Sequence, residues 1–267
     1  MADHIQGPLY YERMGRSGPV MAFVHPNPLD QSCWMFQMAH FSTWFRCIAM
    51  DIPGYGRSPK ADAGLTLRDI AVACWEAIDD AWPGESAVLV GCSVGSQIIP
   101  YMYHRHPART AALIMSGVGY DPAKAFAGRL IEAYSKEGID YRGLHIVQGM
   151  SPAFRATATA QFFARLFQER SSSVDVPSLI HQFRAHQMPD PEDHHSAISC
   201  PALIITGTED GAHPTSFRLR DRIPGCELKV MPGGGHTSHL EQPWLFNQMM
   251  IEFLEKHDLF PRSNPPK

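Results

Sequence analysis

The chain has 267 residues, 44% of them hydrophobic and 19% charged, and its formal net charge is −4. This length and balance suit a large globular α/β domain. No basic stripe favours a nucleic-acid partner, and no apolar run approaches the ~20 residues of a membrane-spanning helix. The six cysteines are scattered without metal-finger spacing, and the first residues carry no charged-then-apolar leader pattern. We therefore expect a cytoplasmic protein with no metal site, no membrane partner and no nucleic-acid partner.

Short apolar runs alternate with segments that carry apolar residues at helical spacing. This alternation is typical of a parallel sheet covered by helices on both faces. The predicted strands are residues 8–14, 20–24, 46–52, 87–90, 111–116, 202–206 and 227–231. The predicted helices are residues 31–45, 65–82, 97–106, 214–222 and 241–256. Thr66 and Asp69 predict a capping box at the start of the second helix.

Residues 120–199 interrupt the alternation, because they contain no convincing strand. A segment of this length is too long for a loop in a compact domain. We therefore expect a helical cap over the carboxyl edge of the sheet, where open α/β sheets bind ligands. Its helix-like stretches lie near residues 122–136, 153–169 and 177–187. The predicted organisation is a core of residues 1–119 and 200–260, a cap of residues 120–199 and a loose tail of residues 261–267.

The strand of residues 87–90 is followed by Gly91-Cys92-Ser93-Val94-Gly95 and then by a helix. G-x-S-x-G between a strand and a helix is typical of a nucleophile elbow, a tight turn that holds a serine hydroxyl clear of the sheet. Ser93 is therefore the candidate nucleophile. Ser96 lies on the helix beyond the turn, and we interpret Cys92 as a packing residue.

A serine hydroxyl needs a base and an orienting carboxylate to attack a carbonyl at neutral pH. Both residue types follow later predicted strands: Glu209 and Asp210 follow one, and His236 follows the next. Because the ends of parallel strands meet at one edge of a sheet, these side chains should lie near Ser93. The residue types alone leave both acidic residues open as the acid, and His239 open as the base.

These motifs and two upstream ones make the chain resemble the α/β-hydrolase fold superfamily, specifically its capped single-domain enzymes. The matching pieces are His25-Pro26-Asn27-Pro28, Asp51-Ile52-Pro53-Gly54-Tyr55-Gly56-Arg57-Ser58, Gly91-Cys92-Ser93-Val94-Gly95, Gly207-Thr208-Glu209-Asp210 with Pro214, and Gly234-Gly235-His236 with Leu240-Glu241-Gln242-Pro243. The resemblance implies an α/β fold with a mostly parallel sheet flanked by helices. It further implies Ser93 as the nucleophile, His236 as the base and Asp210 as the acid.

The resemblance also implies an oxyanion hole made by two backbone N–H groups. One belongs to Val94, the residue after the nucleophile, and the other to Asn27. The chain has His25-Pro26 where the family has His-Gly. The departure is tolerable because the required donor lies on the residue after Pro26. Asp51 and Arg57 correspond to the family's structural loop and are expected to hold a turn rather than to act in catalysis.

Trp34 and His239 are the candidate substrate-pocket residues, with core packing an equal alternative for Trp34. Aromatic side chains of the predicted cap should make the rest of the pocket largely apolar. His194 and His195 follow two acidic residues, and we interpret them as a solvated polar segment rather than as metal ligands.

The residues and the resemblance together predict a serine hydrolase without a cofactor, acting on a small-molecule carboxylic ester or lactone with an apolar portion. Hydrolysis of a carbon–carbon bond in a diketone-type substrate is the alternative for the same triad. A ligand-binding receptor that kept the fold is the alternative from another class. Ser93 argues against dehalogenase and epoxide hydrolase chemistry, which the related enzymes carry out with an aspartate nucleophile. The sequence leaves a homo-oligomer open.

Overall fold

A seven-stranded sheet forms the centre of the molecule. The computed structural model describes residues 4–121, 125–188 and 194–261. Its strands are β1 (Tyr11–Met14), β2 (Val20–Val24), β3 (Arg46–Met50), β4 (Ala87–Cys92), β5 (Thr110–Ser116), β6 (Ala202–Gly207) and β7 (Glu227–Met231). Their spatial order is β1-β3-β2-β4-β5-β6-β7. Among the described strands β1 pairs antiparallel with β3, and the other pairs are parallel.

Helices cover the sheet on both faces. Those that flank it are α1 (Met35–Phe41), α2 (Leu67–Ala81) and α3 (Val94–Arg105). Residues 120–199, hereafter the insertion, contain α4 (Ala125–Glu137), α5 (Tyr141–Gln148), α6 (Pro152–Arg155), α7 (Ala158–Glu169) and α8 (Val176–Gln187). The flanking helices after β6 are α9 (His213–Arg222), α10 (Ser238–Glu241) and α11 (Pro243–Lys256).

The central strands are buried on both faces, because side chains alternate along a strand and helices cover each side. In β2, Val20, Ala22 and Val24 join the apolar cluster that contains the buried residues of α2 and α3. Met21 and Phe23 join the opposite cluster, which contains the buried residues of α1 and α11. All five β2 side chains are 0% exposed. The sheet is therefore the rigid layer from which the loops at its carboxyl edge project.

Several predicted helix boundaries were wrong, each for a local reason. The helix after β4 begins at Val94 rather than at residue 97, because the turn is completed within Ser93 alone. The helix predicted over residues 31–45 is a 3-10 turn, Gln31–Trp34, followed by α1. The helix predicted over residues 241–256 is split before Pro243, which has no N–H to continue α10. The capping box of Thr66 and Asp69 is confirmed at the start of α2.

The insertion contains more helices than the sequence predicted. The stretch of residues 153–169 is two helices, because Thr157 accepts a hydrogen bond from the backbone N–H of Ala160 and starts α7. The helix α5 was missed, since it is short and carries Gly143 in its interior. Residues 122–124 of the first predicted helix and residues 262–267 of the predicted tail lie outside the described residues.

The structure contradicts the prediction that His194 lies in a solvated segment. Its side chain is 4% exposed, and its ring lies 4.7 Å from that of Tyr101 and 4.8 Å from that of His104. Aromatic packing rather than solvation therefore holds this histidine. Within the three described ranges, no helix is long and apolar enough to cross a membrane.

Candidate active site

The turn between β4 and α3 holds Ser93 in an unusual backbone conformation. Ser93 has φ 54° and ψ −116°, in a region that non-glycine residues rarely occupy and that costs of the order of 1–3 kcal/mol. Its neighbours explain how the turn closes. A Cβ on Gly95 would lie 2.1 Å from the carbonyl oxygen of Val24, and one on Gly91 would lie 2.5 Å from the carbonyl carbon of Gly95. Glycine is therefore required on both sides of the serine.

Ser96 fixes the same turn from the helix side. Its hydroxyl lies 2.8 Å from both Gly91 O and Ser116 O, and it accepts a hydrogen bond from the backbone N–H of Ser116. The side chain is 1% exposed. Ser96 thus joins the ends of β4 and β5 beneath Ser93, which remains partly exposed. A structural role for Ser96 agrees with its position beyond the turn.

The loop after β2 brings Asn27 to the same edge of the sheet. The Nδ1 of His25 lies 3.0 Å from Pro26 O, and its Nε2 accepts a hydrogen bond from the backbone N–H of Ile52. Burial lowers the pKa of His25, so the neutral ring donates through Nδ1 and accepts through Nε2. The hydroxyl of Tyr55 donates to Asn27 Oδ1 at 2.8 Å. His25 and Tyr55, for which no individual role was predicted, therefore hold this loop.

Val94 and Asn27, the residues of the predicted oxyanion hole, both lie at this edge of the sheet. Val94 is the first residue of α3, and the first N–H groups of a helix have no intrahelical acceptor. The helix dipole also favours negative charge at this end. Asn27 lies outside helix and strand, and its side-chain Nδ2 is buried without a hydrogen-bond partner among the described residues. The oxyanion hole formed by these two residues stays a prediction.

Asp210 and His236 form a hydrogen-bonded pair at the ends of β6 and β7. Asp210 Oδ1 lies 2.9 Å from His236 Nδ1, and the backbone N–H of Ala212 donates to the same oxygen at 2.9 Å. Burial by itself would raise the pKa of Asp210, but His236 and the Ala212 N–H outweigh it and lower the pKa. The carboxylate therefore stays charged and fixes the orientation of the imidazole. Glu209, the other candidate acid, is exposed.

His236 lies beside the turn that carries Ser93. A Cβ on Gly117 would meet the Cε1 of His236 at 3.1 Å. Gly117 follows Ser116, whose carbonyl accepts a hydrogen bond from the Ser93 N–H. The thiol of Cys92 lies 3.6 Å from the carbonyl oxygen of His236. The structure thus brings the predicted nucleophile, acid and base to one edge of the sheet.

Electrostatics make His236 a stronger base than an ordinary histidine. Burial lowers its pKa, but the charge and hydrogen bond of Asp210 and the charge of Glu241 together outweigh burial and raise the pKa. Burial also raises the pKa of the neighbouring Cys92 thiol to about 12. The thiol is therefore uncharged at neutral pH, in line with its interpretation as a packing residue.

Glu241 ties the loop that carries His236 to the insertion. Its carboxylate accepts hydrogen bonds from the backbone N–H of Gly235 at 3.1 Å and from the backbone N–H of Ser151 at 3.2 Å. The hydroxyl of Thr237 donates to it at 3.1 Å. The motif that contains Glu241 was visible in the sequence, but these partners are distant in the chain and could not be predicted from it.

The structure favours the core-packing alternative for Trp34 and corrects the expected pocket role of His239. Both side chains are 0% exposed, and their rings lie 4.4 Å apart. Phe23 and Phe246 pack against Trp34 with centroid distances of 5.2 Å and 6.4 Å. Apolar packing between the sheet and α11 therefore encloses this pair. Burial, with a further contribution from His236, lowers the pKa of His239 to about 3.

Asp51 holds the turn that contains Arg57, as predicted for this loop. Asp51 accepts hydrogen bonds from the backbone N–H groups of Gln31 and Arg57 at 2.9 Å and 3.1 Å. The Arg57 guanidinium instead donates to the hydroxyl of Tyr10.

Over the described ranges, no group of three or more His, Cys, Asp or Glu side chains could hold a metal ion.

Comparison with known proteins places this geometry in context. Residues 21–246 match the model of the alpha/beta hydrolase family, and the match together with the sheet topology confirms the predicted fold. A thermophilic esterase from Thermogutta terrifontis has a solved structure with a TM-score of 0.80 and 25% identity, covering 93% of each chain. Est816, described as an N-acyl homoserine lactone degrading enzyme, has a TM-score of 0.77 and 27% identity, covering 94% of this chain and 99% of its own.

A curated relative has a different named substrate. The 2-hydroxy-6-oxononadienedioate/2-hydroxy-6-oxononatrienedioate hydrolase of Paraburkholderia phymatum is 24% identical over 260 residues, which cover 92% of this chain and 90% of that protein. The three proteins therefore differ in the substrates that their names give.

Proposed function

Because the chain belongs to the alpha/beta hydrolase family, we propose that it is a serine hydrolase that cleaves a carboxylic ester or lactone. The observation that carries this proposal is the convergence of three groups at one edge of the sheet. Ser93 lies on the strained turn and has φ 54°. Asp210 and His236 form a hydrogen bond of 2.9 Å, and His236 lies against Gly117, the residue after the acceptor of the Ser93 N–H. A nucleophile, a base and an orienting acid are what acyl transfer through serine requires.

In the first half of the proposed reaction, His236 takes the proton of Ser93 and the serine oxygen bonds to the substrate carbonyl carbon. The carbonyl oxygen becomes an oxyanion, which the N–H groups of Val94 and Asn27 would hold. One such donor is worth about 10²–10³ in kcat. Asp210 stabilises the imidazolium that forms. The bond from carbon to the alkoxy oxygen then breaks, and the alcohol leaves with the proton from His236.

In the second half, water replaces the alcohol. His236 takes a proton from the water, whose oxygen attacks the acyl carbon of the Ser93 ester. The tetrahedral intermediate collapses, and Ser93 departs with the proton from His236. The products are an acid and a free enzyme, so the cycle needs no cofactor. With a lactone, the leaving alcohol stays attached to the acid.

The insertion would act as the cap over this site. Its Arg142 donates to Pro28 O at 3.0 Å, beside Asn27, and Thr237, beside His236, donates to Gly149 O at 3.2 Å. Buried aromatic side chains of the insertion include Phe163, Phe167 and Phe183. These contacts and the apolar content of the insertion support a substrate with an apolar portion.

The test is hydrolysis of p-nitrophenyl acetate, butyrate and octanoate by the wild type and by Ser93→Ala. We expect turnover by the wild type and a loss of about 10⁵–10⁶ in kcat in the variant. Ser86→Ala is the matched control: Ser86 is an exposed serine just before β4, and its variant should keep the wild-type activity. Turnover that survives in Ser93→Ala contradicts the proposal.

A second candidate is hydrolysis of a carbon–carbon bond in a diketone-type substrate. The relative named for a 2-hydroxy-6-oxo dienedioate favours it, and the same serine, base and acid could serve. The two candidates separate by substrate. Turnover of a 2-hydroxy-6-oxo dienoate with no turnover of esters or lactones supports the second candidate. Wild type that turns over neither class favours a ligand-binding receptor.

A further inference from the structure

One face of α5 extends from the loop of Asn27 to the loop of His236. At one end of this face, Arg142 Nε donates to Pro28 O at 3.0 Å. At the other end, a Cβ on Gly149 would lie 3.9 Å from the Cβ of His236. His145 is three residues after Arg142 and four before Gly149, a spacing that puts all three on one side of a helix. His145 therefore lies on the face of α5 that spans the two loops, and His236 is near enough to lower its pKa.

A buried tyrosine determines which nitrogen of His145 carries the proton. The hydroxyl of Tyr134 lies 2.9 Å from His145 Nδ1, and Tyr134 is 1% exposed. A phenol is a stronger donor than acceptor, so its O–H donates to Nδ1 and the neutral ring keeps its proton on Nε2. Burial lowers the pKa of His145 to about 3, with His236 and Arg142 as the nearby groups that lower it further. The ring is therefore neutral at the pH at which His236 acts as a base.

The Nε2 of His145 remains available for a ligand. The residue is partly exposed, in contrast to Tyr134, whose ring packs against it. Among the described residues Nε2 makes no hydrogen bond, and it is not one of the buried polar atoms that lack a partner. A histidine held only for packing would be enclosed on all sides, as His239 is at 0% exposure.

We propose that His145 is a specificity residue that donates a hydrogen bond from Nε2 to a second carbonyl oxygen in the acyl portion of the substrate. The leaving alcohol must face His236 to receive its proton. His145 precedes Gly149 by one turn of α5, on the side of the loop of Asn27, and we assign it on this ground to the acyl side of the scissile bond. The preferred substrate is therefore an oxo ester or oxo lactone rather than a simple alkanoate. This inference rests on the proposed serine-hydrolase function.

The test compares esters of one chain length, with and without the second oxygen. The probes are p-nitrophenyl hexanoate and its 4-oxo and 5-oxo derivatives, and the readout is the ratio of kcat/KM for an oxo ester to that for the hexanoate. A neutral hydrogen bond contributes about 1 kcal/mol, or roughly a fivefold ratio. We expect the wild type to prefer at least one oxo ester. His145→Leu should abolish that preference and leave the kcat/KM for hexanoate within about threefold.

Two further variants separate recognition from structure. His145→Gln keeps an N–H donor and should restore part of the preference. Tyr134→Phe removes the hydrogen bond to Nδ1, so either ring nitrogen of His145 can carry the proton. This variant should reduce the preference for the oxo ester without removing it. A wild type that hydrolyses hexanoate with no oxo preference, or a His145→Leu variant that lowers all esters equally, overturns the role of His145 and leaves the proposed function intact. Absence of turnover for all the esters, with no covalent labelling of Ser93, overturns both.

Discussion

The carboxylate of Glu241 joins the backbone of Ser151 to the loop that carries His236, with the Ser151 N–H 3.2 Å from Glu241 Oε2. The same oxygen accepts from the Gly235 N–H at 3.1 Å. One side chain thus connects the residue that caps α6 with the residue before the proposed base. Glu241 also raises the pKa of His236 across this short distance. It is therefore a positioning residue with a measurable electrostatic effect.

The Glu241→Gln variant should shift the acid limb of the pH profile to lower pH. His236 acts as a base only when neutral, so activity falls as pH drops through its pKa. Asp210 and Glu241 both raise that pKa, and removing one negative charge should lower it. The measurement is kcat/KM for p-nitrophenyl butyrate between pH 4.5 and 9. An acid limb that stays in place, or moves to higher pH, contradicts the electrostatic role of Glu241.

The Asp210→Asn variant should lose most of the activity. The amide cannot stabilise the imidazolium of His236 and favours the wrong tautomer, which in serine proteases costs about 10⁴ in kcat. Glu209→Gln is the matched control, because Glu209 is adjacent in sequence but exposed. Its kcat should stay within about twofold of the wild type, because the substitution of an exposed side chain usually has only a small effect. Equal losses in the two variants would argue against Asp210 as the acid.

The Tyr55→Phe variant should lower kcat by about three- to tenfold, the effect of one neutral hydrogen bond. The hydroxyl of Tyr55 donates to Asn27 Oδ1 at 2.8 Å and holds the loop that carries one of the two proposed oxyanion donors. Because that donor acts in the transition state, KM should change little. Tyr11→Phe is the control: its hydroxyl bonds the exposed Asp80, and its loss should leave both constants unchanged. An increase in KM alone for Tyr55→Phe contradicts the argument.

The Gly95→Ala variant should be strongly destabilised. The Cβ of the alanine would lie 2.1 Å from the carbonyl oxygen of Val24, so the backbone must move to relieve the overlap. Overpacking of this kind lowers the free energy of unfolding by about 3 kcal/mol. A Cβ on Gly211 would meet nothing within 4 Å, so Gly211→Ala should change stability by at most about 0.5 kcal/mol. Urea unfolding followed by circular dichroism compares the two. Similar midpoints for both variants would show that the turn is not closely packed against β2.

Local chemistry made much of the fold and site predictable. The strand–turn–helix pattern around Ser93 reflects short-range steric demands, so the sequence alone located the turn that the structure contains. Asp210 and His236 were placed together because each follows a strand of the same parallel sheet, and their 2.9 Å contact agrees with that reasoning. These inferences needed only strand order and turn residues.

Contacts between distant segments were beyond such reasoning. A tryptophan such as Trp34 is equally suited to line a pocket or to pack in a core. Its burial at 0% exposure depends on α11, which lies more than 200 residues later in the chain. Tyr55 and Glu241 were seen as parts of motifs, but their hydrogen-bond partners could not be read from spacing. The role proposed for His145 depends on the register of α5, a short helix whose pattern was too weak to detect.

Covalent labelling by a fluorophosphonate tests the central claim most directly, because it needs no knowledge of the substrate. The reagent phosphonylates a serine that a neighbouring base activates. Trypsin should release residues 69–105 as one peptide that contains Ser86, Ser93 and Ser96, and fragment masses can locate the adduct within it. We predict an adduct on Ser93 in the wild type that is lost in a His236→Ala variant. A wild type without an adduct, or with an adduct on Ser86 or Ser96, would contradict the assignment of Ser93 as the nucleophile.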